Sequence, residues 1–92
     1  MGDIYRALAD PTRRALLDAL AARDGQTLSS LCGALLEQGT SSSRQAISRH
    51  LALLEDAGLI SVRRQGRYKF HNLNLRPLRE LAQRWPEPPG ST

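Results

Sequence analysis

Apolar residues recur at helical spacing over most of this chain and at strand spacing in one short stretch. Asp3 to Ala9 puts Ile4, Ala7 and Leu8 on one side of a short helix. Asp10-Pro11 restarts the chain, because an acidic cap followed by a proline of fixed φ suits the first helical positions. Leu16, Leu17 and Leu20 point inward from that second helix, and Asp24-Gly25 should end it. Thr27 can cap a third helix, in which Leu28, Leu31, Cys32, Leu35 and Leu36 form one continuous inward stripe. Gln38-Gly39-Thr40-Ser41 breaks the stripe. Ser42, with Gln45 three residues on, reads as a capping box opening a fourth helix. Its buried positions are Ile47, Leu51 and Leu54, with Leu53 and Ala57 at the edge and Gly58 as terminator.

The period then changes. Leu59 to Arg63 and Tyr68 to His71 suit strands, joined across Arg64-Gln65-Gly66-Arg67, where glycine supplies the backbone freedom a tight hairpin needs. Asn74 can cap a last helix with Leu75, Leu78, Leu81, Ala82 and Trp85 along one face. From Pro86 the chain is too proline-rich to continue that helix. A chain of 92 residues has room for one core. The expected organisation is a single mainly α domain over residues 1–85, with a small β-hairpin and a loose Pro-rich tail over 86–92. Four helices, a hairpin and a fifth helix make the order of a winged helix-turn-helix.

Charge sharpens this picture. Thirteen Lys and Arg residues against nine Asp and Glu give a net charge of +4, which favours acidic partners. Twelve of the thirteen are Arg, a bias that fits phosphate recognition or codon usage equally. With Ile47, Leu51 and Leu54 turned inward, the fourth helix presents Arg44, Gln45, Ser48, Arg49 and Ala52 outward. Arg pairs with guanine and Gln with adenine in a major groove, Ser with either, and Ala permits close approach. The open N–H groups near Ser42 and Ser43 favour a phosphate at the same end. Arg63, Arg64, Gln65, Arg67 and Lys69 give the hairpin a polar, mostly cationic tip that could reach flanking DNA. Either surface alone is also what an ordinary solvated face looks like. Their succession after a helix and a turn points to double-stranded DNA.

Two long motifs carry a family resemblance. Residues 7–20, Ala-Leu-Ala-Asp-Pro-Thr-Arg-Arg followed by Ala-Leu-Leu-Asp-Ala-Leu, resemble the opening of the ArsR/SmtB-type repressors. Residues 46–60, Ala-Ile-Ser-Arg-His-Leu-Ala-Leu-Leu-Glu-Asp-Ala-Gly-Leu-Ile, resemble their recognition helix and the approach to the wing, and residues 66–70 their return strand. The resemblance implies a homodimeric winged-helix transcriptional regulator, usually a repressor, dimerising through its first and last helices. Ile4, Leu8, Leu78, Leu81 and Trp85 are the apolar residues for that interface; the other use for them is to cap the monomer core. Two departures stand out. The turn from Gln38 to Ser43 is a few residues longer than the family's, and the metal-sensing Cys-x-Cys pattern is incomplete, with Cys32 followed by Ala34.

Chemistry of other kinds finds little footing. The last helix offers Glu80 and no histidine, while His50 and His71 lie on different elements, so neither a metal nor a cofactor is expected. Cys32 falls on the buried stripe as a small hydrophobe. There is no Gly-rich phosphate loop and no paired nucleophile and base, which argues against an enzyme. No apolar run approaches the ~18–20 residues of a membrane span, and the first residues lack the order of a signal peptide, giving a cytoplasmic expectation. The competing functional class is a winged-helix module that binds protein and reads no DNA sequence. An effector, small molecule or metal, is not legible in the chain.

Overall fold

The computed structural model describes residues 3–90; Met1 and Gly2, read above for leader signals, and Ser91 and Thr92 of the tail lie outside the described residues. The elements run α1 (Ile4–Ala9), α2 (Pro11–Ala22), α3 (Leu28–Glu37), α4 (Arg44–Asp56), β1 (Ile60–Gln65), β2 (Tyr68–Leu73) and α5 (Arg76–Arg84). This is the expected order: five helices and one antiparallel hairpin.

Local chemistry sets most boundaries. Asp3 accepts from the Tyr5 and Arg6 N–H groups at the start of α1, Asp10 from Arg13 on α2, and Thr27 from Ser30 on α3. Ser43, not Ser42, caps α4, its Oγ accepting from the Ala46 N–H at 3.0 Å. Gln45 therefore sits one position too early to close a capping box. The end of α4 is a Schellman motif. Gly58 at φ +78° donates to Glu55 O at 2.9 Å, and Leu59 donates to Leu54 O at 3.0 Å. The motif folds Leu59 back onto Leu54, and both are fully buried.

The core is a leucine-rich cluster in which Leu16 and Leu20 of α2, Leu31 and Leu35 of α3, Ile47 and Leu54 of α4, and Leu59 lose almost all solvent contact. Burying each such side chain contributes roughly 1.5–3 kcal/mol. The α3 stripe is narrower than expected: Leu36 is 68% exposed, and Leu28 and Cys32 are half-buried at the margin. At 100° per residue, Leu36 lies about 120° from the midpoint of Leu31 and Leu35, which carries it to the solvent side. Leu53 is likewise exposed.

The hairpin is longer and its link tighter than the sequence implied. Arg64 and Gln65 belong to β1, and only Gly66 and Arg67 connect the strands, since Gln65 pairs directly with Tyr68. Gly66 has φ +61° while Arg67 stays at negative φ, the combination of a type II′ turn, which matches the strand twist and wants glycine first. At the base, β2 is tied to the α2–α3 turn. Gln26 and His71 exchange backbone hydrogen bonds of 3.2 and 2.8 Å, and His71 Nδ1 donates a further 2.9 Å bond to Gln26 O. The Gln26 side chain is itself satisfied by Ala19 O, Arg23 O and Ser30 Oγ. Helix α5 starts one residue later than expected. Asn74 accepts from Arg76 N–H at 3.2 Å but also donates to Gly58 O, so it fastens the helix start to the end of α4. Trp85 stands just past the helix end.

Candidate nucleic-acid interface

Helix α4 turns one stripe into the core and leaves Arg44, Gln45, Ser48, Arg49 and Ala52 exposed, as the apolar spacing required. Arg44, Ser48 and Ala52 succeed one another at four-residue steps and face the wing, whereas Gln45 and Arg49 form the adjoining row. Ser43 is exposed and engaged as cap, and Ser42 is half-buried. Between α4 and the hairpin runs a groove of about 280 Å³. Arg44, Ser48 and Glu55 form one wall, Arg67, Lys69 and His71 another, and Thr27 and Ser29 at the start of α3 close one side. Glu55 had no place in the expected site, although its position three residues after Ala52 puts it on the same face.

The five wing residues divide between two faces. Strand register places Arg64 directly opposite Lys69, on the same side as Val62 and His71 and hence toward the groove. Arg63 lies opposite Phe70 on the other side, its guanidinium 5.0 Å from the ring centroid and its Nη1 donating to Gln65 Oε1 at 3.2 Å. Tyr68 joins this outer face, 6.4 Å from Phe70. Arg64, Arg67 and Lys69, at the groove side of the tip, thus have no ion-pair partner among the described residues, while Arg63 and Gln65 are already engaged with each other.

Side chains behind the site hold it in place. Arg13, buried on α2, donates from Nε to Ala7 O at 2.8 Å and from Nη2 to Arg6 O at 2.9 Å. Its Nη1 meets His50 Nδ1 of α4 at 3.1 Å, and Asp10 Oδ2 lies 3.8 Å from the same nitrogen. Desolvation pushes the Asp10 carboxyl up, but the Arg13 N–H, the His50 and Arg13 charges and the Thr12 N–H together hold it below the usual carboxylate range. Asp24 accepts from the Leu73 N–H at 2.7 Å and from Asn72 at 3.1 Å, and these bonds lower its carboxyl as well. Sequence reasoning gave no weight to Arg13, which stood in a motif as one arginine among several.

Of the expected interface residues, Ile4, Leu8 and Leu78 are half-buried and pack partly against the core, Leu81 is half-buried, and Trp85 is 63% exposed. No residue of α5 is buried, and Tyr5 and Leu75 add exposed apolar surface to the first and last helices. Among the described residues no group of three His, Cys, Asp or Glu side chains could hold a metal, and Cys32 is a free, half-buried thiol. No helix among them is long and apolar enough to cross a membrane.

A helix turned outward beside a cationic hairpin, on a scaffold of three packed helices, defines a winged helix-turn-helix of the DNA-binding kind. Residues 8–63 match the family model described as a helix-turn-helix domain. The chain is 44% identical over 85 residues to the uncharacterized HTH-type transcriptional regulator YuzN of Bacillus subtilis, spanning 91% of this chain and 92% of that protein. It is 31% identical over 80 residues to the transcriptional repressor SdpR of the same organism, spanning 87% and 82%. Among solved structures, an ArsR-like transcriptional regulator from Rhodococcus superposes with a TM-score of 0.72 at 32% identity, over 88% of this chain and 69% of that one. This chain belongs to the ArsR family of winged-helix transcriptional regulators.

Proposed function

We propose that this regulator is a cytoplasmic homodimeric repressor that places α4 in the major groove of a palindromic operator and its wing on the flanking backbone. Residues 1–85 are the working domain. The observation that carries the reading is the cross-strand pairing of Arg64 with Lys69. Like charges directly opposite each other destabilise a hairpin, and a bound phosphate reverses that effect. The groove brings Arg44 of α4 and Arg67 and Lys69 of the hairpin to the same place, so a backbone running along it meets cations from two sides and the Thr27 and Ser29 hydroxyls at the α3 start from a third. Base reading then falls to Arg44, Gln45, Ser48 and Arg49, with Ser42 and Ser43 at the phosphate end of the helix. Two copies joined through Ile4, Leu8, Leu78, Leu81 and Trp85 would present half-sites about 34 Å apart.

Selection of duplexes from a random pool by the purified protein, with and without chelator, tests this. A two-fold-symmetric site should emerge in both conditions. Arg49→Ala or Gln45→Ala should then lose about 1–3 kcal/mol on that site and relax base preference. Binding with no sequence preference and no symmetric footprint would refute the operator reading in favour of a protein-binding module.

A further inference from the structure

Eleven of the twelve arginines are exposed, and the exception, Arg13, makes three guanidinium bonds to two other elements. Two of its nitrogens hold the Arg6 and Ala7 carbonyls that end α1, and the third holds the ring of His50 on α4. A guanidinium has only donors, so this bond forms only where the ring nitrogen accepts and the ring's proton sits on Nε2. Asp10 Oδ2, which caps α2 by accepting the Arg13 N–H at 3.0 Å, is the other charged atom against the same Nδ1. The nitrogen stands between one partner that requires it bare and another that rewards a proton on it. His50 follows Ser48 and Arg49 directly, so the ring is attached to the turn of α4 that carries those two side chains.

We propose that Arg13, Asp10 and His50 form a proton-sensitive latch that positions α4: the neutral ring accepts from Arg13 and locks α4 to the end of α1, and the protonated ring exchanges Arg13 for Asp10. A proton from solvent binds Nδ1, the new N–H donates to the Asp10 carboxylate, and Arg13 keeps only its two carbonyls. Asp10 is ionised beside a neutral ring as well, because carboxylates titrate well below imidazoles and, against desolvation, the Arg13 N–H and charge hold this one lower. In DNA binding, the output of the latch, this inference rests on the function proposed above; the exchange of partners itself does not.

The test pairs two measurements on the full chain. Imidazole ¹⁵N spectra at about pH 8 should show an unprotonated His50 Nδ1, and acidification to about pH 5.5 should move the Arg13 guanidinium resonance. Affinity for a duplex selected by the wild-type protein should fall about tenfold over the same interval, the scale of one lost charged hydrogen bond. His50→Asn retains an acceptor that cannot be protonated, so it should keep the affinity of the wild type at high pH and lose the acid response. A protonated Nδ1 at high pH, or an equal acid response in His50→Asn, overturns the latch. Where the wild type selects no duplex at any pH, the operator reading fails by itself. The latch then stands if acid moves the Arg13 resonance in the wild type and not in His50→Asn, and falls otherwise.

Discussion

Replacing Lys69 with Gln separates what the wing tip does for folding from what it does for binding. The side chain opposes Arg64 across the hairpin; opposed Cβ atoms lie ~5 Å apart, and a separation of about 7 Å for the charged ends beyond them sets the scale. In water that repulsion is roughly 0.6 kcal/mol. With a Debye length of about 8 Å at physiological ionic strength it falls to roughly 0.2 kcal/mol. Lys69→Gln should therefore stabilise the free protein, raising Tm by about 2–5 °C at low salt and by about 1–2 °C at physiological salt. Binding should move the other way. Losing one phosphate contact flattens the salt slope by about 0.9, so the affinity drop between about 50 and 200 mM salt shrinks by roughly 3.5-fold. Scanning calorimetry at two salt concentrations and fluorescence anisotropy on specific and random duplexes read both effects. A lowered Tm, or a salt slope unchanged from the wild type, would refute the assignment of the pair to phosphate.

Gly66→Val forces a β-branched residue into positive φ at the hairpin turn, which should cost about 1–2 kcal/mol and weaken specific and random DNA alike; urea denaturation and anisotropy check it. Asp24→Ala removes two bonds to β2, a loss of about 1 kcal/mol once the exposure of the carboxylate is discounted. Because folding lowers the Asp24 pKa, its contribution is complete above the unfolded value of about 3.9 and disappears as pH falls through the folded one. The gap between variant and wild type in urea should accordingly close in acid and be full at neutral pH.

What could be read in the chain follows from how local each cause is. The spacing of Ile47, Leu51 and Leu54 settles which way α4 faces, so the outward row from Arg44 to Arg49 was legible without coordinates. Proline at the start of α2 and glycine at the ends of α4 and the hairpin act on their own neighbours, and those boundaries came out close. Three consecutive serines before α4 offer equivalent hydroxyls, and nothing in their order says that Ser43 takes the cap. Division of the wing into a groove side and an outer side needs the pairing register, which depends on the turn containing two residues and not four. Arg13 was the least legible. Its partners lie six, seven and thirty-seven residues away, and a buried arginine is visible only once α1 and α4 have been folded against it.

The attachment of the wing at its base has a mechanical consequence. Gln26 and His71 bond through backbone and ring, Asp24 grips Leu73 and Asn72, and Asn74 holds the carbonyl of Gly58. With the strand pair anchored at several points, the interval between α4 and the hairpin is a stiff dimension of the protein. A duplex seated against both must supply the compliance. Flexible steps such as TA or CA between the two contact zones would bend at little cost, and rigid A-tracts there would not. If α4 and the wing engage DNA as proposed, such a protein would discriminate among sequences by their elasticity, at base pairs that none of its side chains reaches.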